Sequence, residues 1–299
     1  MSLPILLVLV GGPLLLTVIA LAAQSKARRR VDTRGEWKWV RVTWAAALVI
    51  GVVTAWLVNR SLDLGRGTML VPAVLGLFVV AGVGLAETVV RPQRPVGHRT
   101  ASLAPRRVAD YVPRALATAV AGIITIHLAT LTLTTTTAST DDMGRPGRWL
   151  AAQCGNIGSG AGPTGSGAGP YPGSFYSVPL ILLLLVIGLV AAAALTAVVR
   201  RPRGLAPDDV GDDELRHRST TRVLAAAGAA VAASHMGTAF FAGGAMLRMD
   251  CQRAWMQPVG WVLMASVLVA LLLLGWFLGR VVAPGKFAAP SPARPAGIR

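Results

Sequence analysis

The sequence predicts an all-α fold: a polytopic transmembrane helical bundle of seven spans, one helix followed by three hairpin-like repeats. Three observations carry this. Of 299 residues, 54% are hydrophobic and only 14% charged, where a soluble domain carries about a quarter charged. Seven charge-poor apolar runs approach or exceed the length of about 20 residues that crosses a bilayer core. The connections between them are alternately rich and poor in Arg and Lys.

The runs fall at about 3–23, 42–58, 69–90, 115–137, 178–199, 223–247 and 258–282, and together define a transmembrane domain over 1–283. Runs of this kind are helices, because a backbone in lipid must satisfy its own hydrogen bonds. The first resembles a signal peptide, with Ala20-Leu21-Ala22 as a cleavage-like site, but no basic residue precedes it and KARRR follows at 26–30. Cleavage would leave that cluster outside, so the run reads as a retained helix. The second is short and is flanked by Trp37, Trp39, Trp44 and Trp56, which suit the headgroup boundary.

Orientation follows from the basic residues. The links 24–41, 91–114 and 200–222 and the tail from 280 together hold 23 of the 29 Arg and Lys. The alternate connections hold only Arg60, Arg66, Arg145, Arg148, Arg248 and Arg253. The N-terminus is therefore expected outside and the C-terminus in the cytoplasm. The net charge of +16 then reads as an orientation signal, with anionic lipid headgroups as partners rather than nucleic acid. Arg far outnumbers Lys and Ala, Gly and Val abound, a high-GC coding pattern that suggests a bacterial cytoplasmic membrane.

Two spans align without gaps. Arg114, ALATAVAGIITI, His127 and Thr130 match Arg222, VLAAAGAAVAAS, His235 and Thr238. In each, Arg precedes His by 13 residues and Thr follows by three. A weaker copy from Arg41 has Thr54 in place of His. The partner spans end alike, VVRPQRP at 89–95 and VVRRPRG at 198–204. Hence the three hairpins, 42–90, 115–199 and 223–282.

Thirteen residues at 1.5 Å each set both histidines about 20 Å from their Arg, level and central in the core. Thr130 and Thr134 share a helix face with His127, and Thr238 shares one with His235. An ionisable side chain at this depth faces the bundle interior and is a functional candidate. Three uses compete. A neutral imidazole bonded to Thr or a backbone carbonyl would help pack helices. A pair in a polar pathway would handle protons or a solute. Two axial imidazoles would hold one b-type haem. Any other metal site has too few ligands in these two histidines alone.

The remaining polar features read as follows. Cys154 and Cys251 are the only cysteines and fall on the same expected outer face, so a disulfide is anticipated there. The connection 138–177, with GSGAGPTGSGAGP at 158–170, reads as a flexible extracytoplasmic loop, and Asp141-Asp142 as a solvated turn. Glu87, the one acid inside a span, is expected to pair with Arg91 at i+4 near the cytoplasmic end. TLTLTTTT at 130–137 returns hydroxyls to its own helix. DDVGDDELRHR at 208–218 is expected as a short solvated or interfacial helix on which a protein partner could dock. The tail 284–299 is expected to be disordered.

No P-loop, HExxH or GxSxG occurs, and no span contains Lys. Enzyme function is therefore not favoured. The leading reading is a permease-like, sensory or accessory membrane subunit with a polar His/Thr centre. The rivals are a haem-binding electron-transfer protein and a structural or assembly protein.

Overall fold

A computed structural model describes residues 33–89, 107–153, 165–202 and 209–284. The apolar run 3–23, Arg91, Cys154 and the chain beyond 284 lie outside these. Six helices among the described residues are long and apolar enough to cross a membrane: α1 (Thr33–Ser61), α2 (Arg66–Val89), α3 (Arg114–Thr137), α4 (Ser174–Arg200), α5 (Asp209–Leu247) and α6 (Met256–Val282). A two-stranded antiparallel sheet joins them, β1 (Leu150–Gln153) with β2 (Gly165–Ala168), Leu150 opposite Ala168. The end of the bundle carrying this sheet is called the hairpin end here. The other, carrying the Arg-rich connections, is the basic end.

Two helices form the inside. α2 and α5 are mostly buried, whereas α1, α4 and α6 leave most of their surface outward. α1 and α4 pack on α2, and α3 and α6 pack on α5. The outward faces are those of lipid-facing helices: Leu182, Leu185 and Leu189 on α4, and Trp261, Val262, Leu268 and Leu272 on α6, are exposed. Small residues let the inner pair meet. A Cβ added at Gly76 of α2 would collide with Ala230 of α5, and one at Gly243 of α5 would lie 2.9 Å from the carbonyl oxygen of Gly260 on α6. Close backbone approach through small residues is how helices pack where no hydrophobic effect drives them together.

Three expectations change. The outer two hairpins, α1–α2 and α5–α6, pack along their lengths, but α3 and α4 barely touch. The long connection frees them to take different neighbours: α3 lies on α5, and α4 on α2 and α5. The segment 208–218 is not a separate solvated helix. From Asp209 it is the start of α5, a continuous helix of 39 residues, and Asp212, Arg216 and Thr220 are buried. The described parts of 138–177 are built rather than loose. Leu150, Ala152 and Tyr171 bury against Ala239, Ala242 and Met246 of α5. Gly167 and Gly169 lie flat on the Trp149 indole, where any Cβ would collide. Close ring contact, not flexibility, accounts for those glycines.

Asp141 is likewise no solvated turn. It is 9% exposed and accepts hydrogen bonds from the backbone of Met143 (3.1 Å) and Arg145 (2.8 Å), from Arg145 Nε (2.8 Å) and from Arg148 Nη1 (2.5 Å). Burial acts to raise its pKa, but the Arg145 backbone and guanidinium and the Met143 N–H outweigh that and hold the carboxyl below its usual range. Asp142 is exposed.

Candidate functional site in the bundle centre

His127 belongs to the buried stripe of α3, with Leu116, Val120, Ile123, Thr130, Leu131 and Thr134. Their spacing of three and four residues gives one helix face, turned toward α5. His235 lies on α5 among Ala and Ser. By helical rise the two histidines sit about 15 and 18 Å from the hairpin ends of their helices. Both are fully buried, at 0% exposure. Their rings meet edge to face, centroids 5.5 Å apart and planes at 84°.

One nitrogen of each ring meets the hydroxyl of a neighbouring side chain. Ser266 Oγ of α6 donates its proton to the carbonyl of Leu263 at 2.6 Å. The same oxygen lies 3.0 Å from His235 Nε2. Thr238 Oγ1 donates to the carbonyls of Ser234 or His235 at 3.1 and 3.0 Å. The same oxygen lies a long 3.4 Å from His127 Nδ1. Each ring thus has one nitrogen on a hydroxyl. The other nitrogens, His127 Nε2 and His235 Nδ1, are buried with no hydrogen-bond partner. A buried polar atom without a partner is costly, and here two occur on rings in contact.

Of the five residues anticipated, the structure brings His127, His235 and Thr238 together. Thr130 and Thr134 lie on the same stripe of α3, but their hydroxyls return to Ile126 and Leu131 of their own helix, at 2.9 and 3.2 Å. Ser266 was missed. It stands in a span with no recognisable repeat register, and only packing places it beside His235. Thr54 remains on α1, which packs on α2.

A haem between the two imidazoles does not fit this arrangement. Thr238, one turn from His235, already touches His127, so α3 and α5 are in side-chain contact where the macrocycle would lie. Groups of three or more His, Cys, Asp or Glu able to hold a metal ion are absent among the described residues.

At the basic end a second polar cluster closes the bundle. Glu87 of α2 was expected to pair with Arg91. Arg91 lies outside the described residues. Among those described, α5 partners the Glu87 carboxylate: Ser219 Oγ donates at 2.5 Å and Arg222 Nη1 at 2.9 Å. Around it Arg216, at 0% exposure, donates to Asp213 and to the Arg201 carbonyl, both at 3.1 Å. Thr220 Oγ1 donates to the Tyr111 carbonyl at 3.0 Å, and the Tyr111 hydroxyl to Asp213 at 3.1 Å. At the hairpin end, the backbone N–H of Cys251 donates to Ser166 Oγ of β2 at 3.1 Å. No described cysteine is a free thiol.

The chain matches no protein-family model, no curated protein and no solved structure.

Proposed function

We propose that this membrane protein is a non-enzymatic, permease-like or sensory component whose working centre is the His127–His235 pair with Thr238 and Ser266. One observation supports this above the rest: two imidazoles in contact, each with one nitrogen on a hydroxyl and the other buried without a hydrogen-bond partner. Packing alone does not call for that. Polar side chains that glue membrane helices satisfy one another, and these leave a nitrogen unmet on each ring. Such a centre takes up a proton or a small electrophilic solute.

Around it we place the N-terminus outside and the basic end in the cytoplasm, on the strength of the Arg asymmetry. The Glu87–Arg222 cluster then lies on the cytoplasmic side, among connections where a protein partner could dock, and the β-hairpin covers the outer side. We also propose a Cys154–Cys251 bridge. Ser166, bonded to Cys251, is paired across the sheet with Ala152, two residues from Cys154. Such a bridge would tie the outer loop to the turn between α5 and α6.

The test is a thermal-shift screen of the purified chain against protons, inorganic cations and small solutes. Ligands that bind the folded state raise its melting temperature. At least one condition is expected to stabilise wild type and not the folded His127→Gln/His235→Gln variant. Identical responses of the two proteins across the screen would reduce the histidines to packing.

A further inference from the structure

We propose that the His127–His235 pair takes up a single proton, from the hairpin end only, through a ladder of threonine hydroxyls on α3. This rests on the polar-centre reading above and names its ligand. It makes the centre a sensor of acid in the compartment that the hairpin end faces.

The ladder lies within one helix. Thr130, Thr134 and Thr137 follow His127 at steps of three, four and three residues, so the four side chains stack on one face of α3. Thr130 and Thr134 are buried and Thr137 is half-buried, which makes it the rung nearest solvent. The three hydroxyls donate to the carbonyls of Ile126, Leu131 and Leu133 at 2.9, 3.2 and 2.7 Å. Each oxygen therefore keeps lone pairs for a second donor. Successive rungs on a helix face are about 5–6 Å apart, a gap that one hydrogen-bonded water spans. At the top, the Tyr171 hydroxyl lies 2.6 Å from Thr137 Oγ1. Burial pushes the pKa of that phenol up to about 12, outweighing the Thr137 bond, so it stays a neutral hydroxyl that both donates and accepts.

No such ladder leads toward the basic end. There the same face of α3 carries Ile123, Val120 and Leu116. Residues 223–233 of α5 are Val, Leu, Ala and Gly alone, about 16 Å of helix without a polar side chain. Among the described residues, the charges on the helices around the pair stand at their ends: Arg114 on α3, Arg222 on α5, Arg66 and Glu87 on α2, Arg200 on α4 and Arg280 on α6. Tyr176 of α4 donates its hydroxyl to the Leu64 carbonyl at 2.7 Å, at the hairpin end. A neutral imidazole keeps one basic nitrogen whichever tautomer it holds. Uptake forms an N–H bond there and returns a hydronium of the medium to water. Each hydroxyl passes the proton by accepting one and donating its own. The pair takes one proton, not two, because a second charge on a ring 5.5 Å from the first is opposed by repulsion. The imidazolium donates from both nitrogens, and Ser266 Oγ or Thr238 Oγ1 stands beside one of them.

The experiment is time-resolved infrared difference spectroscopy of the full-length chain, ring-labelled at histidine, in sealed lipid vesicles with the hairpin end outward and the interior buffered. Acidifying the medium from about pH 8 to about pH 4 is expected to form one imidazolium per chain, and none in His127→Gln/His235→Gln. Acidifying only the interior is expected to change wild type and that variant alike, through the remaining histidines. Should the double variant not fold, Thr134 carries the test. Thr134→Val keeps the shape and loses the hydroxyl; it is expected to slow uptake about tenfold, the cost of one hydrogen bond along the path, with the final amount unchanged. Thr134→Ser should restore the rate, and Thr132→Val, on the exposed face, should leave it as in wild type. Uptake by the pair from the interior, an unaltered rate in Thr134→Val, or no imidazolium in wild type would overturn the proposal. In the last case, a thermal-shift response to another solute that depends on the histidines would still keep the polar centre.

Discussion

At the scale of residues, the fold depends on where hydroxyls and charges find partners. Glu87 shows this best. From the sequence its natural partner was one turn along its own helix. That partner lies outside the described residues; in the bundle, α5 supplies Ser219 and Arg222, which no reading along one helix could anticipate. Side-chain exposure is 8% for Glu87 and 23% for Arg222, so the pair is poorly screened by water. Glu87→Gln keeps an acceptor for Ser219 but strands the guanidinium. It should lower stability by about 2–3 kcal/mol, read as a shift in detergent-denaturation midpoint. Arg222→Met in that background should cost far less than in wild type; additive losses would show that the two do not act as a pair. The histidines themselves were legible, because an ionisable residue deep in an apolar span stands out and the matched Arg and Thr positions set the two at like depth. Ser266 was not, since one serine in an apolar run has no partner until the helices pack.

At the scale of elements, the apolar runs gave the helices, but not their ends or neighbours. α5 starts near residue 209 rather than 223 because the acidic first turns and the Arg and Thr after them find partners on α2, α4 and the Tyr111 turn. Nothing in local composition separates that from a solvated helix. The α2–α5 contact has a signal that was there to read, the Ala- and Gly-rich stretch over 225–245, and Gly76 is its tightest point. Gly76→Leu should destabilise the bundle by about 1–3 kcal/mol or more, whereas the same change at Gly188 on the outside of α4, where nothing lies near, should be tolerated. Equal melting temperatures for the two variants would contradict the packing. The loop after α3 depends on Asp141. Its carboxyl titrates below the usual range in the folded state, so its stabilisation is complete above the ordinary Asp pKa and is lost as pH falls through the lower folded value. Trp149 fluorescence should report an acid-induced loosening of this loop that Asp141→Asn shows already at neutral pH. An Asp141→Asn loop as ordered as wild type would remove the anchor.

At the scale of the whole molecule, composition and charge spacing led to a membrane bundle, and six membrane-length helices bear that out at the coarse level. The symmetric picture of three equal hairpins did not carry through. Sequence similarity between spans records their depth, but contacts are decided by connection length, and the long link between α3 and α4 lets each pack elsewhere. The histidines nonetheless meet, because matched depth and facing buried stripes suffice for that. Single-cysteine variants at 154 and 251, labelled on intact cells with an impermeant thiol reagent, should both react from outside; opposite sides would refute the threading. The central claim is the imidazole pair in the core. The chain contains four histidines, so solid-state NMR of histidine-labelled protein in lipid bilayers reads it with little overlap. A ring-to-ring cross-peak between two residues, abolished by His127→Gln and equally by His235→Gln, is the expected result. Two isolated ring signals with no mutual contact would contradict the site and everything built upon it.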